Sequence, residues 1–74
     1  MDLPRSLGTV KWFSNRSSFG FVSSDQEGAD DVFVHKSSIH ARGFRSLKEG
    51  MVIEYTVGID DSGRPKAEHV TAPG

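Results

Sequence analysis

Phe19 and Phe21 stand two residues apart, and Phe33 and His35 repeat that spacing. Along an extended chain alternate residues share a face, so each pair would present two flat rings on one side of a strand. Rings held this way can stack on planar ligands, and an unpaired nucleic-acid base gains about 1–3 kcal/mol from such a contact. Cations at the margin of the rings complete that chemistry by following phosphates. The chain has Lys11, Lys36 and, around Phe44, the group Arg42, Arg45 and Lys48. The chemistry these residues suggest is stacking and charge, with no bond made or broken.

Other constellations are thin. His35, His40 and His69 fall on separate segments with no helical or short-loop ligand spacing, and there is no cysteine to assist them. A metal site is therefore not expected, and His40 and His69 read as surface residues. Asp30-Asp31 and Asp60-Asp61 have the look of paired carboxylates, but glycine and serine surround them. In such contexts Asp bonds its own backbone, so turns are expected there. No nucleophile–base pair, phosphate-cradling loop or dinucleotide fingerprint occurs. Neither a cofactor nor an enzymatic activity is expected, and nothing calls for a small-molecule substrate.

The elements that must position the rings are short. With 74 residues the chain is one domain at most. The absence of cysteine points to a reducing compartment, the cytoplasm with the nucleus as a second location. No apolar run is long enough for a membrane span, and no signal-peptide core is seen at the start. Gly8, Gly20, Gly28, Gly43, Gly50, Gly58, Gly63 and Pro65 punctuate runs of Val, Ile, Phe, Tyr and Thr. These runs predict strands at 10–13, 19–22, 32–35, 51–57 and 66–71, with one short helical turn near Ser37-Ser38-Ile39-His40. Five strands without a substantial helix imply a sandwich or a barrel, and closure into a barrel removes exposed edges.

One interior must then take one face of every strand. The aliphatic set Val10, Val22, Val32, Val34, Ile53, Tyr55, Val57 and Val70 suits it, which directs Phe19, Phe21, Phe33 and His35 outward together. The reverse assignment would bury the Phe residues and expose the valines. Alternation from Val10 also sends Trp12 inward and Phe13 outward. A contiguous exposed aromatic patch marks a binding surface. The net charge of −1 excludes attraction by a uniformly basic body. Its distribution is uneven: Asp25, Glu27, Asp30 and Asp31 form an acidic stretch, and Lys36, Arg42, Arg45 and Lys48 a basic one.

Gly8-Thr9-Val10-Lys11-Trp12-Phe13, Phe19-Gly20-Phe21-Val22 and Asp31-Val32-Phe33-Val34-His35 together resemble the cold-shock domain, the last two blocks being similar to its ribonucleoprotein motifs. Gly43 to Gly50 and Val70-Thr71-Ala72-Pro73-Gly74 follow the same pattern, so the resemblance covers nearly the whole chain. The Gly43–Gly50 stretch and Arg64-Pro65-Lys66-Ala67 are more similar to eukaryotic members than to bacterial ones. The resemblance implies a five-stranded antiparallel barrel of the OB type over residues 7–72, with free ends at 1–6 and 73–74. It also implies a monomer that binds single-stranded RNA or DNA and acts as an RNA chaperone. Matched residue by residue, the stacking surface is Trp12, Phe19, Phe21, Phe33, His35 and Phe44. Lys11 and Arg45 match polar or phosphate-contacting positions, Asp31 a base-bonding one, and Phe13 an aromatic at the margin. The alternative from another class is a protein-interaction barrel using the same patch.

Three departures from the family pattern bear on affinity. Ser17-Ser18 stands where a lysine and a glycine are usual, which removes a phosphate contact. If the second position needs a positive φ, Ser18 carries about 1 kcal/mol of strain. Lys36 follows His35 where relatives often carry an aromatic or Gln, trading a stack for a charge. The expectation is a functional binder weaker than a relative with the usual pair.

Overall fold

The computed structural model describes residues 5–25, 28, 30–40 and 46–73. The β-branched and aromatic runs form strands β1 (Ser6–Ser14), β2 (Phe19–Ser24), β3 (Val32–His35), β4 (Val52–Ile59) and β5 (Pro65–Thr71). A 3-10 turn over Lys36–Ser38 follows β3. The strands close into a barrel in the order β1-β2-β3-β5-β4, and β4 returns to pair with β1.

The expected five-stranded barrel is present, but one pairing is not antiparallel. β3 and β5 run parallel, with Phe33 opposite Lys66 and Val34 opposite Ala67. Parity requires this: an odd number of strands cannot alternate in direction all the way round a closed ring, so one neighbouring pair must be parallel.

The core holds Val10, Val22, Val32, Val34, Leu47, Ile53, Tyr55, Ala67 and Val70, with Phe13, Ile39 and Met51 packed against it. Each buried aliphatic side chain contributes roughly 1.5–3 kcal/mol against exposure. Val57, expected inside, is instead 52% exposed, while Thr56 is only 7% exposed. The change lies beside a register shift between Glu54 and Thr56, where His69 and Val70 of β5 stand against Tyr55 alone, so the extra residue belongs to β5. Opposite that bulge Tyr55 and Thr56 are buried in succession, and the alternation of β4 continues with the opposite phase, leaving Val57 outside. The Thr56 hydroxyl donates to the Glu68 carbonyl at 3.2 Å, which satisfies the buried polar group.

Turn chemistry accounts for Asp60. Its Oδ1 accepts from the backbone N–H groups of Ser62 (2.8 Å) and Arg64 (2.9 Å). Gly63 supplies the positive φ of 83° that this turn needs. At the other end of the chain, β1 starts at Ser6 and Arg5 is held by its side chain. The Arg5 guanidinium donates to the carbonyls of His69 (2.7 Å) and Glu54 (3.2 Å) and to the Thr71 hydroxyl. Sequence alone puts these two residues in a free end.

Candidate nucleic-acid interface

β1 is where alternation breaks to the benefit of the surface. Val10 lies opposite Val22, but Trp12 lies opposite Phe21, so Lys11 is an extra residue and the strand bulges. Lys11 and Trp12 face outward in succession, and Trp12 is 43% exposed. Plain alternation sends Trp12 inward; the bulge corrects this and agrees with the family pattern. It also corrects Phe13, which alternation sends outward. Phe13 is half-buried and packs on the core. Gly20 sits opposite Phe13. A Cβ at that glycine would collide with the Trp12 carbonyl oxygen and lie 2.7 Å from the Phe13 Cα, so only glycine lets the two strands meet there.

Once Trp12 is outward, four rings join. Trp12 contacts Phe19 (centroids 5.7 Å apart, planes at 64°) and Phe21 (5.5 Å, 52°). Phe33 contacts Phe19 (5.5 Å, 33°) and Phe21 (5.9 Å, 73°). Each ring thus touches two others in a closed cycle across β1, β2 and β3. Edge-to-face and tilted pairs of this kind contribute about 0.5–1.5 kcal/mol each beyond burial. They also hold the rings in place before any ligand arrives, which lowers the ordering cost of binding. Phe19, Phe21 and Phe33 are half-buried by one another and keep part of each ring open to solvent.

His35 extends the surface at the end of β3, opposite Phe19. Its Nδ1 accepts the Ser37 backbone N–H at 3.0 Å, and the Ser37 hydroxyl lies 2.9 Å from the same nitrogen. An acceptor Nδ1 leaves the neutral ring its proton on Nε2, an outward donor. Lys11 Nζ donates to Asp31 Oδ2 at 2.9 Å, and both side chains are about half exposed. A pair so exposed is worth about 0–1 kcal/mol. Opening the pair to free either group for a ligand therefore costs little. Lys36 is exposed at the start of the 3-10 turn. Phe44 and Arg45, with Arg42, lie outside the described residues.

The β1–β2 turn ends on Ser18, whose φ is +66°. Its N–H donates to the Ser14 carbonyl at 2.7 Å, and its own carbonyl accepts from the Lys36 N–H at 2.8 Å. The left-handed conformation on which the expected strain depends is thus present. Beside Phe33 and His35 an open groove of about 180 Å³ runs past Ser37 and Asp61 to Lys66. Lys66 was not singled out from the sequence. It reaches Phe33 only through the parallel β3–β5 pairing, which leaves no local signature.

Comparison with known proteins decides the family. The family model described as the 'Cold-shock' DNA-binding domain matches residues 6–73. The chain belongs to the cold-shock domain family. Cold shock domain-containing protein 4 of Arabidopsis thaliana is 51% identical over 69 residues, covering 93% of this chain and 34% of that protein. Cold shock-like protein CspLB of Listeria monocytogenes is 47% identical over 64 residues, covering 86% of this chain and 92% of that one. Protein lin-28 homolog A of Xenopus tropicalis is 45% identical, covering 90% of this chain and 37% of that protein. This cold-shock domain thus spans about a third of the length of the plant protein and nearly all of the bacterial one. Among solved structures, drosophila Unr CSD456 superposes with a TM-score of 0.76 at 22% identity, covering 97% of this chain and 28% of that one. That likeness is one of fold.

Proposed function

We propose that this cold-shock domain binds single-stranded RNA or DNA by stacking unpaired bases on Trp12, Phe19, Phe21, Phe33 and His35. Lys11 and Lys36 meet the phosphates, and Asp31 with the His35 Nε2–H meets base edges. The closed cycle of four rings carries this reading, since an exposed, pre-packed aromatic surface suits a succession of bases better than a single small ligand. Stacking tolerates any base, so sequence preference is modest. A duplex keeps its base faces covered and is excluded. A domain that binds only the unpaired state shifts RNA toward that state by mass action, without nucleotide hydrolysis. This is the basis of the chaperone activity we assign to it.

Trp12 reports directly on the surface. Titration with a short unstructured oligonucleotide quenches its fluorescence, and the matching duplex leaves it unchanged. Silence with both ligands would overturn the reading in favour of a protein-binding patch.

A further inference from the structure

Outside the aromatic face, two histidines come together that nothing in the sequence links. His40 follows the 3-10 turn and His69 lies in β5; both are exposed. Their rings face each other with centroids 5.5 Å apart and planes 29° from parallel. The backbone brings them there: Ile39 bridges Val70 in parallel fashion, and the His40 N–H donates to the Val70 carbonyl at 2.9 Å. Neither ring belongs to the four-ring cycle described above.

His69 is also held in an unusual way. Its φ is +52°, a left-handed conformation that non-glycine residues seldom take. The conformation falls where the register between β4 and β5 breaks, and Arg5 clamps it by donating to the His69 carbonyl at 2.7 Å. The Arg5 charge is itself met by the Glu54 carboxylate at 3.4 Å. A strained residue fixed by surrounding contacts directs its side chain to a defined place.

The spacing of the rings has a chemical meaning. With metal–nitrogen bonds of about 2.0–2.1 Å, two imidazoles on one tetrahedral ion have centroids roughly 5 Å apart. The observed 5.5 Å is close to that value, and both exposed rings, stacked in this structure, can turn about their Cβ–Cγ bonds to aim an in-plane nitrogen lone pair at one ion. We propose that His40 and His69 chelate one divalent transition-metal ion of the Cu2+ and Zn2+ class, with water completing its coordination. Among the described residues no group of three or more His, Cys, Asp or Glu gathers to hold a metal, so the site offers two protein ligands and stays open. Cu2+ binds more tightly than Zn2+ at such a nitrogen pair. The bound ion ties the segment leaving the 3-10 turn to β5 and stabilises the barrel by mass action.

The three histidines of the chain make the test compact. CuCl2 and ZnCl2 are titrated into the whole chain, with stoichiometry and affinity read by calorimetry and the imidazole signals followed by NMR. One Cu2+ binds per chain and broadens the His40 and His69 signals together, ahead of those of His35. His40→Gln and His69→Asn each lower Cu2+ affinity tenfold or more, while His35→Gln keeps it within twofold. Asn is chosen at 69 because it accepts a positive φ. Melting curves in the presence of EDTA confirm that each variant folds. A loss below tenfold in either single variant, or an equal loss in His35→Gln, overturns the chelate.

Discussion

Ser18 occupies a left-handed backbone position with a side chain that gains nothing from it. Such a conformation costs about 1–2 kcal/mol, and a glycine there would give back about 0.4–1 kcal/mol through its freer unfolded state. Ser18→Gly is therefore expected to raise stability by roughly 0.5–1 kcal/mol, read as a higher denaturation midpoint. Combined with Ser17→Lys, it should also tighten oligonucleotide binding by restoring a phosphate contact; unchanged or poorer affinity would show that this turn does not limit binding. The rings themselves are tested singly: Phe19, Phe21 or Phe33 changed to Ala should weaken binding by about 1–3 kcal/mol each, with melting curves separating lost contact from lost fold. Tyr55 carries a prediction of another kind. Burial raises its pKa above 10.0, Ser24 opposes this and the Asp25 charge adds to it. The fold thus favours the protonated phenol, so its contribution is whole below about pH 10 and is lost as pH rises through the higher folded value. Tyr55→Phe should remove that loss, and melting temperatures of the two proteins from pH 8 to 11.5 should diverge only at the alkaline end.

At the scale of strands, alternation read from the sequence places Val10, Val22, Val32, Val34, Ile53 and Val70 inside, and all are buried. The same rule puts Phe19, Phe21 and Phe33 on one surface, where they meet. It fails at Trp12, Phe13 and Val57, and each failure sits beside a break in register. The β1 bulge inserts Lys11 and reverses the faces that follow it, while the shift beside Val57 puts its extra residue in β5, and no residue type announces either. The family pattern rescued Trp12 because it records the outcome of the bulge without explaining it. Leu47 and Ala67 were missed as core, and Arg5 as an anchor, because their partners are distant in sequence. Gly20 is the residue on which the β1 bulge depends. Gly20→Ala is expected to cost several times the roughly 0.5–1 kcal/mol of an ordinary strand substitution, because the added Cβ meets backbone atoms, the Trp12 carbonyl oxygen and the Phe13 Cα, and not a flexible side-chain end. Loss of cooperative unfolding, or a collapse of Trp12 quenching in a protein that still folds, would each express that dependence. A variant that melts and binds like the parent would show that the bulge adapts.

For the molecule as a whole, the net charge of −1 is a statement about mechanism. A net charge this small supplies no long-range attraction for a polyanion, so under the proposed function affinity would rest on ring faces and a few local cations. One of those cations, Lys11, is already paired with Asp31 and releases less on meeting a phosphate than a free lysine would. Ser17 removes another from the usual set. Counterion release on a single strand scales as about 0.7 per neutralised phosphate, so one to three contacts give a slope of log affinity against log salt between roughly −0.7 and −2. The measurement is a set of fluorescence titrations with one oligonucleotide across a range of salt concentrations. A slope in this window, with binding that persists at high salt and falls when a ring is removed, is what stacking on a near-neutral body requires. A slope steeper than about −3 would mean that cations outside the aromatic face hold the strand, and that the rings serve as a margin to an electrostatic site.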